Sequence, residues 1–513
     1  MMNQYEMYEI TLQGPEPTGS QVQIDLEMTI RCGDEEWKKV KGFYAGDGVY
    51  RVRFLPQKPG NYHWVVTGSL HASGEEVCEP ARAGKHGVVR VKDLHFQYED
   101  GTWYRPFGTT VYALMHQDKA LIDTTMETLS HAAFNKIRFC LFPKHYDFNH
   151  NEPDFYPFEK TDGKWDVHRP CFAFWEAFEE RIRQLAEMGI EGDLILFHPY
   201  DRWGFSQFSR QDALVYLEYL LRRFSAFPNL WWSLANEFDL MEKYTGADWD
   251  AFARFIVRND PYRHLLSNHN CFEYADFTKP ELTHCCIQDI NVNEVPELHR
   301  QFGKPVVFDE CRYEGNIMHN WGNISAREMV HRFWSATVYG GYCTHGETYY
   351  SEDEVLWWSR GGRLKGESPA RIAFLRDIVE TFPGPLTYIG DGCGRFTIEQ
   401  IEQMKRDGIP EELKDDFLAK GLIRMPKERL LAFMLRNRPA LACCEDEAFL
   451  RYYEKECPSV GEMMLPETGK YRVEVIDTWE MTRTVVAEGV SGTVRTALPG
   501  REGIALLAVK TES

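Results

Sequence analysis

At 513 residues the chain is too long for a single hydrophobic core and calls for about two to four domains. Its hydrophobic fraction of 43% and charged fraction of 27% are those of an ordinary globular protein, and no apolar run is long enough to cross a membrane. A net charge of −20 repels phosphate backbones, which argues against nucleic acid as a partner and, more weakly, against a polyanionic glycan.

The first ten residues, MMNQYEMYEI, lack the basic-then-apolar order of a secretory signal, so the expected location is the cytoplasm. From Glu9 to about Lys92, short alternating runs are broken by turn residues. In Tyr50-Arg51-Val52-Arg53-Phe54 the apolar side chains fall on one face and the arginines on the other, and Tyr62, Trp64 and Val66 repeat the alternation. Gly46-Asp47-Gly48 and Pro59-Gly60 supply turns, and the segment 1–94 reads as a β-sandwich of immunoglobulin-like size. Packing is its expected role, since fold alone does not give function.

Between residues 95 and 385, strands alternate with amphipathic helices, the pattern of a parallel α/β fold. Eight strands are predicted: Phe107–Val111, Lys136–Phe142, Asp193–Phe197, Leu230–Leu234, His264–Ser267, Thr283–Ile287, Pro305–Phe308 and Gly341–Thr344. Phe174, Phe178, Ile182 and Leu185 recur at helical spacing before Gly189 stops the run, and Ser325 with Glu328 has the spacing of a capping box. The fold class expected is therefore α/β, a (β/α)8 TIM barrel with long loops. The segment from Leu141 to Pro170, rich in Pro, Asp, Asn and aromatics, should lie over its mouth.

Residues 386–513 are expected to form a second β-sandwich with a helical insertion over Glu399 to Lys420. Leu430–Leu435, Tyr471–Ile476 and Gly503–Val509 are its predicted strands. Thirteen cysteines, odd in number and including the pairs Cys285-Cys286 and Cys443-Cys444, form neither a disulfide framework nor a zinc spacing. They are expected to be reduced, and neither a metal nor another cofactor is expected.

Two strand tips carry the chemistry. Trp231 onward reads WWSLANEFD, an apolar run that ends in Asn236-Glu237, and Lys304 onward reads KPVVFDE, which ends in Asp309-Glu310. In a parallel barrel such tips ring one mouth, where active sites sit, and paired carboxylates there suit glycosidic-bond cleavage. Strand alternation allows one of Asp309 and Glu310 to face the barrel axis. Each Glu also has a structural reading: Glu237 as a cap for the following helix, Glu310 as the partner of Arg138 or Arg312. His198, His269 and His345 each follow a predicted strand and could line the mouth or be satisfied core histidines. Glu347 could grip two sugar hydroxyls or pair with an arginine. Trp203, Trp357 and Trp358 could form a stacking platform, with at least one of the adjacent pair in the core; Tyr112 and Gln117 are further candidates beside the first strand.

Asn-Glu at the end of a fourth strand and Glu at the end of a seventh resemble clan A of the retaining glycoside hydrolases, the 4/7 superfamily. FGTTVYALMHQ, DPYRHLLSNHN, FDECRYEGN, and GETYY followed by WWSRGG are similar to the apiosidase-like barrels, and the flanking segments resemble the sandwiches that accompany them. The resemblance spans nearly the whole chain. It implies Glu237 as general acid/base, Glu310 as nucleophile, Asn236 on the hydroxyl next to the anomeric carbon, and Arg138 holding Glu310 ionised while Glu237 carries a raised pKa. It also favours Glu310 over Asp309. Where many clan members place a Tyr or His on strand six and a Trp at the end of strand eight, this chain reads CCIQDIN and CTHGETYY, so Gln288 or Asp289 takes the former place.

The expected activity is a retaining, exo-acting hydrolase of terminal sugars on small β-linked oligosaccharides or glycosides, with homo-oligomerisation left open. Two alternatives stand beside it: a non-catalytic carbohydrate-binding multidomain protein, and a metal-dependent hydrolase on the same barrel. Neither a His-x-His on strand one nor an HExxH helix supports the latter.

Overall fold

The computed structural model describes residues 2–35, 37–390 and 396–511. Eight short strands, Gly108–Thr110 (β1), Lys136–Cys140 (β2), Glu191–Phe197 (β3), Leu230–Ala235 (β4), Leu266–Ser267 (β5), Cys285–Gln288 (β6), Val306–Glu310 (β7) and Tyr342–His345 (β8), form one sheet in the order β5-β4-β3-β2-β1-β8-β7-β6. Every expected barrel strand overlaps one of these. β5 and β6 close the ring through a single parallel bridge, His269 with Cys286, and a 2.8 Å bond from the Thr283 amide to the Leu266 carbonyl. All residues of β2, β3 and β4 are buried, as expected of strands covered on both faces, although β2 carries Lys136 and Arg138 and β3 carries Glu191 and Asp193.

The interior of this barrel is partly ionic. Lys136 Nζ lies 2.7 Å from Asp193 and 2.6 Å from Asp309, all three buried. Asp309 also accepts from Thr344 Oγ1 at 2.7 Å and Cys286 Sγ at 2.9 Å. The register slips at the end of β7, where Ile287 pairs with Phe308 but Gln288 with Glu310. This bulge overturns the expectation that only one of the two acidic residues could point inward: Asp309 enters the interior network and Glu310 enters the mouth.

Helices begin on side-chain caps. Asp118 accepts from the Leu121 amide ahead of Lys119–His131 (α1), Ser209 from Asp212 ahead of Arg210–Phe224 (α3), and Thr245 with Asp248 forms a capping box for Gly246–Asn259 (α4). Between them Phe172–Glu187 (α2) buries Phe174, Phe178, Ile182 and Leu185, and the chain leaves it through Gly189 at φ +70. Later come Val295–Phe302 (α5), Ala326–Val338 (α6), the single turn Trp357–Arg360 (α7) and Ser368–Val379 (α8). Among the described residues, no helix is long and apolar enough to cross a membrane.

The chain clusters into two compact units. The first, Met1–Ile290, Phe302–Ser325 and Cys343–Pro369, holds the barrel strands and α1–α4. It also contains a five-stranded sheet built around Leu26–Cys32 and Gly60–Gly68 and a three-stranded sheet of Tyr8–Gln13, Val49–Phe54 and Phe43–Gly46. These two sheets share one core through Met28, Val66, Tyr50 and Val52.

The second unit, Asn291–Gln301, Ala326–Tyr342 and Ala370–Ser513, gathers most of α5, α6 and α8 with the C-terminal sheets. Arg438 grips Glu297 of α5 with two bonds of 2.7 and 2.8 Å, and Arg371 of α8 stacks its guanidinium 3.7 Å from the Trp479 ring. Tyr471–Asp477 and Ile504–Lys510 pair in a six-stranded sheet, close to their predicted bounds. Leu430–Leu435 is not a strand. It lies within the helix Lys427–Asn437, of which only Leu430 and Met434, one turn apart, are buried. That helix, with Ile398–Asp407 and Phe417–Leu422, encloses a small core of its own. The four-residue spacing decides for a helix where a six-residue apolar run leaves the choice open.

Candidate active site

At the C-terminal ends of the barrel strands lies a cavity of about 670 Å³, lined by Glu237, Glu310, Asn236, Gln288, Lys144 and several aromatic rings. β4 delivers Asn236 and Glu237. The Asn236 amide bonds to the Phe197 carbonyl at 3.0 Å, and Glu237 then turns at φ +54, a left-handed conformation that costs a side-chain-bearing residue about 1–2 kcal/mol. The turn lifts the carboxylate out of the strand and into the cavity.

Three groups converge on Glu310. The Tyr112 hydroxyl donates to its Oε1, Arg138 Nη1 lies 3.7 Å from the same oxygen, and His269 Nε2 lies 3.7 Å away. His269 accepts the Glu237 amide at Nδ1 (3.4 Å), so its proton sits on Nε2, facing Glu310. Burial, followed by the Arg138 charge, holds the His269 imidazole well below its ordinary pKa and therefore neutral. Arg138 is fixed in turn by Asn236 Oδ1 at 3.0 Å.

On the opposite side the Tyr200 hydroxyl donates to Glu237 Oε2. With the Gln288 amide turned so that its NH2 faces the acids, the orientation that avoids setting oxygen against oxygen, Nε2 lies 3.3 Å from both Glu237 Oε1 and Glu310 Oε2. Burial and then the neighbouring Glu237 push the Glu310 carboxyl up to about 7, against the pull of Arg138 and Tyr112. The pair therefore retains one proton near neutrality. Arg138 and Tyr112 oppose that rise without cancelling it, so the expectation that Arg138 alone holds Glu310 ionised is corrected: the buried pair of carboxyls competes for one proton.

Aromatic rings complete the cavity. Trp321 and Trp358 lie 4.9 Å apart, and His319 stacks on Trp321 at 5.6 Å. Lys144 sits with its ammonium 3.6 Å from the Tyr112 ring and 4.2 Å from that of Tyr200, the two tyrosines that hold the acids. It comes from the expected loop, as do Tyr146, Asp147 and Phe148.

The structure brings together Glu237, Glu310, Asn236, Arg138 and His269. Of the other candidates it brings Tyr112, Gln288, Asp289 and Trp358 to the cavity and leaves the rest outside it. His198 is buried with Nε2 3.1 Å from the Phe142 carbonyl, and His345 stacks on Phe134 with Nδ1 3.0 Å from Thr109 Oγ1. Glu347 is buried and accepts the amides of Lys365 and Gly366. Trp203 sits apart, bonding Glu152 at 2.9 Å, and Trp357 is buried with its indole N–H on Thr109 Oγ1. Of the adjacent tryptophans it is Trp358 that lines the cavity, because the α7 turn sends neighbouring side chains in different directions. Gln117 is buried against Asn149 and the Ala113 carbonyl.

The Apiosidase-like catalytic-domain model matches residues 92–376, more than half of the chain. The chain belongs to the apiosidase-like family. Two domains of unknown function, DUF5060 over residues 1–69 and DUF5605 over residues 438–509, match on either side of it. A crystal structure of a candidate glycoside hydrolase from Bacteroides vulgatus ATCC 8482 is 32% identical, with 99% of each chain covered and a TM-score of 0.85. A family 5 glycoside hydrolase from the same organism, 14% identical over 83% of this chain and 94% of that one, has a TM-score of 0.59 and shares the fold. Among curated proteins none matches. This apiosidase-like chain thus has the barrel fold of glycoside hydrolases, with two carboxylates facing one cavity.

Proposed function

We propose that the protein is a retaining glycoside hydrolase that removes a terminal sugar from small β-linked oligosaccharides or glycosides. The observation that carries this reading is the amide of Gln288 within hydrogen-bond reach of both carboxylates. Two oxygens each 3.3 Å from one nitrogen stand no more than about 6.6 Å apart, which admits the roughly 5–5.5 Å of retaining pairs and leaves out nearly all of the roughly 6.5–9.5 Å range that makes room for an attacking water.

In this reading Glu310 attacks the anomeric carbon while Glu237 gives its proton to the departing glycosidic oxygen. The C–O bond breaks as the Glu310–carbon bond forms. Glu237, now a carboxylate, then takes a proton from water, whose oxygen displaces Glu310 and restores the original configuration. Arg138, Tyr112 and His269 stabilise the Glu310 anion before attack and as it leaves. Trp321 and Trp358 supply faces for the sugar rings, and Asn236 supplies a hydrogen bond to the hydroxyl beside the reacting carbon.

The N-terminal and C-terminal sheets act as packing β-sandwiches, and a cytoplasmic location suits imported, already shortened substrates. The test is Glu310→Ala assayed on activated aryl β-glycosides. Turnover should fall by at least about 10⁴-fold and recover with azide, giving a glycosyl azide of inverted configuration. Residual activity within tenfold of the parent would refute the assignment.

A further inference from the structure

Two of the candidate residues, His345 and Glu347, do not line the cavity. They meet Glu314 beside β8, where Glu314-Gly315 pairs with Glu347-Thr348 in a two-residue parallel ladder. We infer that Glu314, His345 and Glu347 form a binding site for one divalent transition cation, with Zn²⁺ and Mn²⁺ as the fitting ions. One donor atom from each residue lies within 4.8 Å of the other two, and each residue is at most 1% exposed. One imidazole nitrogen with two carboxylate oxygens is a donor set that such ions accept.

The two carboxylates alone would not require an ion. Glu347 accepts the amides of Lys365 (2.5 Å) and Gly366 (2.8 Å), while Glu314 accepts those of Glu367 (2.8 Å) and Ser368 (3.2 Å) and the Tyr349 hydroxyl (2.9 Å). Amides at the start of α8 suit anions. Gly366 permits this approach, since a Cβ there would stand 2.6 Å from Glu347 Oε2 and 2.7 Å from the Glu314 carboxyl. Yet among the described residues no lysine or arginine side chain is in ion-pair contact with either acid.

His345 is what the amides leave unexplained. Its Nε2 is fully buried, has no hydrogen-bond partner, and faces Glu347 Oε2 at 3.9 Å, too far for a hydrogen bond. Two ligands about 2.1 Å from a tetrahedral ion stand about 3.4 Å apart, so a small movement would let one ion engage both. Thr109 Oγ1, which accepts the Trp357 indole N–H, also lies 3.0 Å from Nδ1. A proton on Nδ1 donated to that oxygen leaves the Nε2 lone pair directed at the acids, the outer-shell support that ligating histidines have.

The test uses the full chain, stripped with a chelator in mild denaturant, refolded, and offered Zn²⁺ or Mn²⁺. The readouts are elemental analysis after desalting and the thermal midpoint. One equivalent of either ion should be retained, with a midpoint several degrees above that of the stripped protein. Glu347→Gln and His345→Asn should each weaken binding by about 10–100-fold or more. Less than a tenth of an equivalent retained by the unmodified chain, with no shift in midpoint, would overturn the site, as would stoichiometric binding undiminished in both variants. These readouts do not depend on catalysis, so they stand apart from the hydrolase assignment.

Discussion

The carboxylate pair sets the pH behaviour of the site. Because burial and the Glu237 charge push Glu310 up to about 7, the proton that the pair shares is lost as pH rises through that value. With an aryl glycoside, kcat/KM should fall about tenfold per pH unit on the alkaline side of about 7. Tyr112 donates to Glu310 and lowers its affinity for a proton. Tyr112→Phe should therefore move the alkaline limb to higher pH while reducing kcat by about 10–100-fold through loss of a donor that stabilises charge. An unmoved limb would show that this hydroxyl does not tune the pair. Glu237→Gln should reduce kcat by about 10²–10⁴-fold on substrates with poor leaving groups and far less on dinitrophenyl glycosides, which depart without a proton. Glu237, Glu310 and Asn236 were legible in the sequence because charge rarely ends an apolar strand without a reason. Tyr200 and Lys144 were not, since a tyrosine three residues beyond β3 and a lysine in a loop carry no pattern that distinguishes them from surface residues. Trp357 and Trp358 are adjacent, and no periodicity in a four-residue helical turn says which of them faces the cavity.

At the scale of single elements, β7 shows how a strand can deliver two neighbouring acids inward. Its bulge puts Asp309 on Lys136 and Glu310 in the cavity. A bulge leaves no signature in composition, which is why strict alternation predicted one inward residue and the structure has two. Lys136 joins Asp193 and Asp309 with no exposure, and its removal would strand two buried carboxylates. Lys136→Met is expected to destabilise the barrel by about 3–5 kcal/mol in urea unfolding. A loss under about 1 kcal/mol would mean that the acids find other partners. The fully buried strands β3 and β4 were easy to place because each holds an uninterrupted apolar run, residues 194–197 and 230–232. β5 has two residues, half of the expected His264–Ser267, and the Leu430–Leu435 run misled because six apolar-rich residues fit either a strand or a helix turn.

At the scale of the whole molecule, the first unit ties its N-terminal sheets to the barrel helices through buried charge. Arg53 of the strand Val49–Phe54 reaches Glu179 of α2 with bonds of 2.6 and 2.8 Å, and Arg223 of α3 reaches the same carboxylate at 2.5 Å. Burial alone would raise the Glu179 pKa, but Arg53 and then Arg223 overcome it and hold the carboxyl down to about 2. A folded pKa below the unfolded one stabilises above the unfolded value, near 4.5, and that stability is lost as pH falls toward 2. The expected contribution is at most about 3 kcal/mol. Thermal midpoints should therefore fall between pH 5 and pH 2 in the parent, and fall less steeply in Glu179→Gln. Alternation had already placed Arg53 opposite the apolar face of its strand, but which carboxylate it meets depends on packing between segments more than a hundred residues apart.

The most direct measurement is intact-mass and peptide mass spectrometry after incubation with activated 2-deoxy-2-fluoro-β-glycosides, which accumulate the covalent intermediate of a retaining enzyme. A single glycosyl adduct is expected on the peptide containing Phe308 to Arg312, carried by Glu310 and absent from Glu310→Gln. Turnover of the parent glycosides with no adduct and with inverted product, or an adduct on another residue, would contradict it.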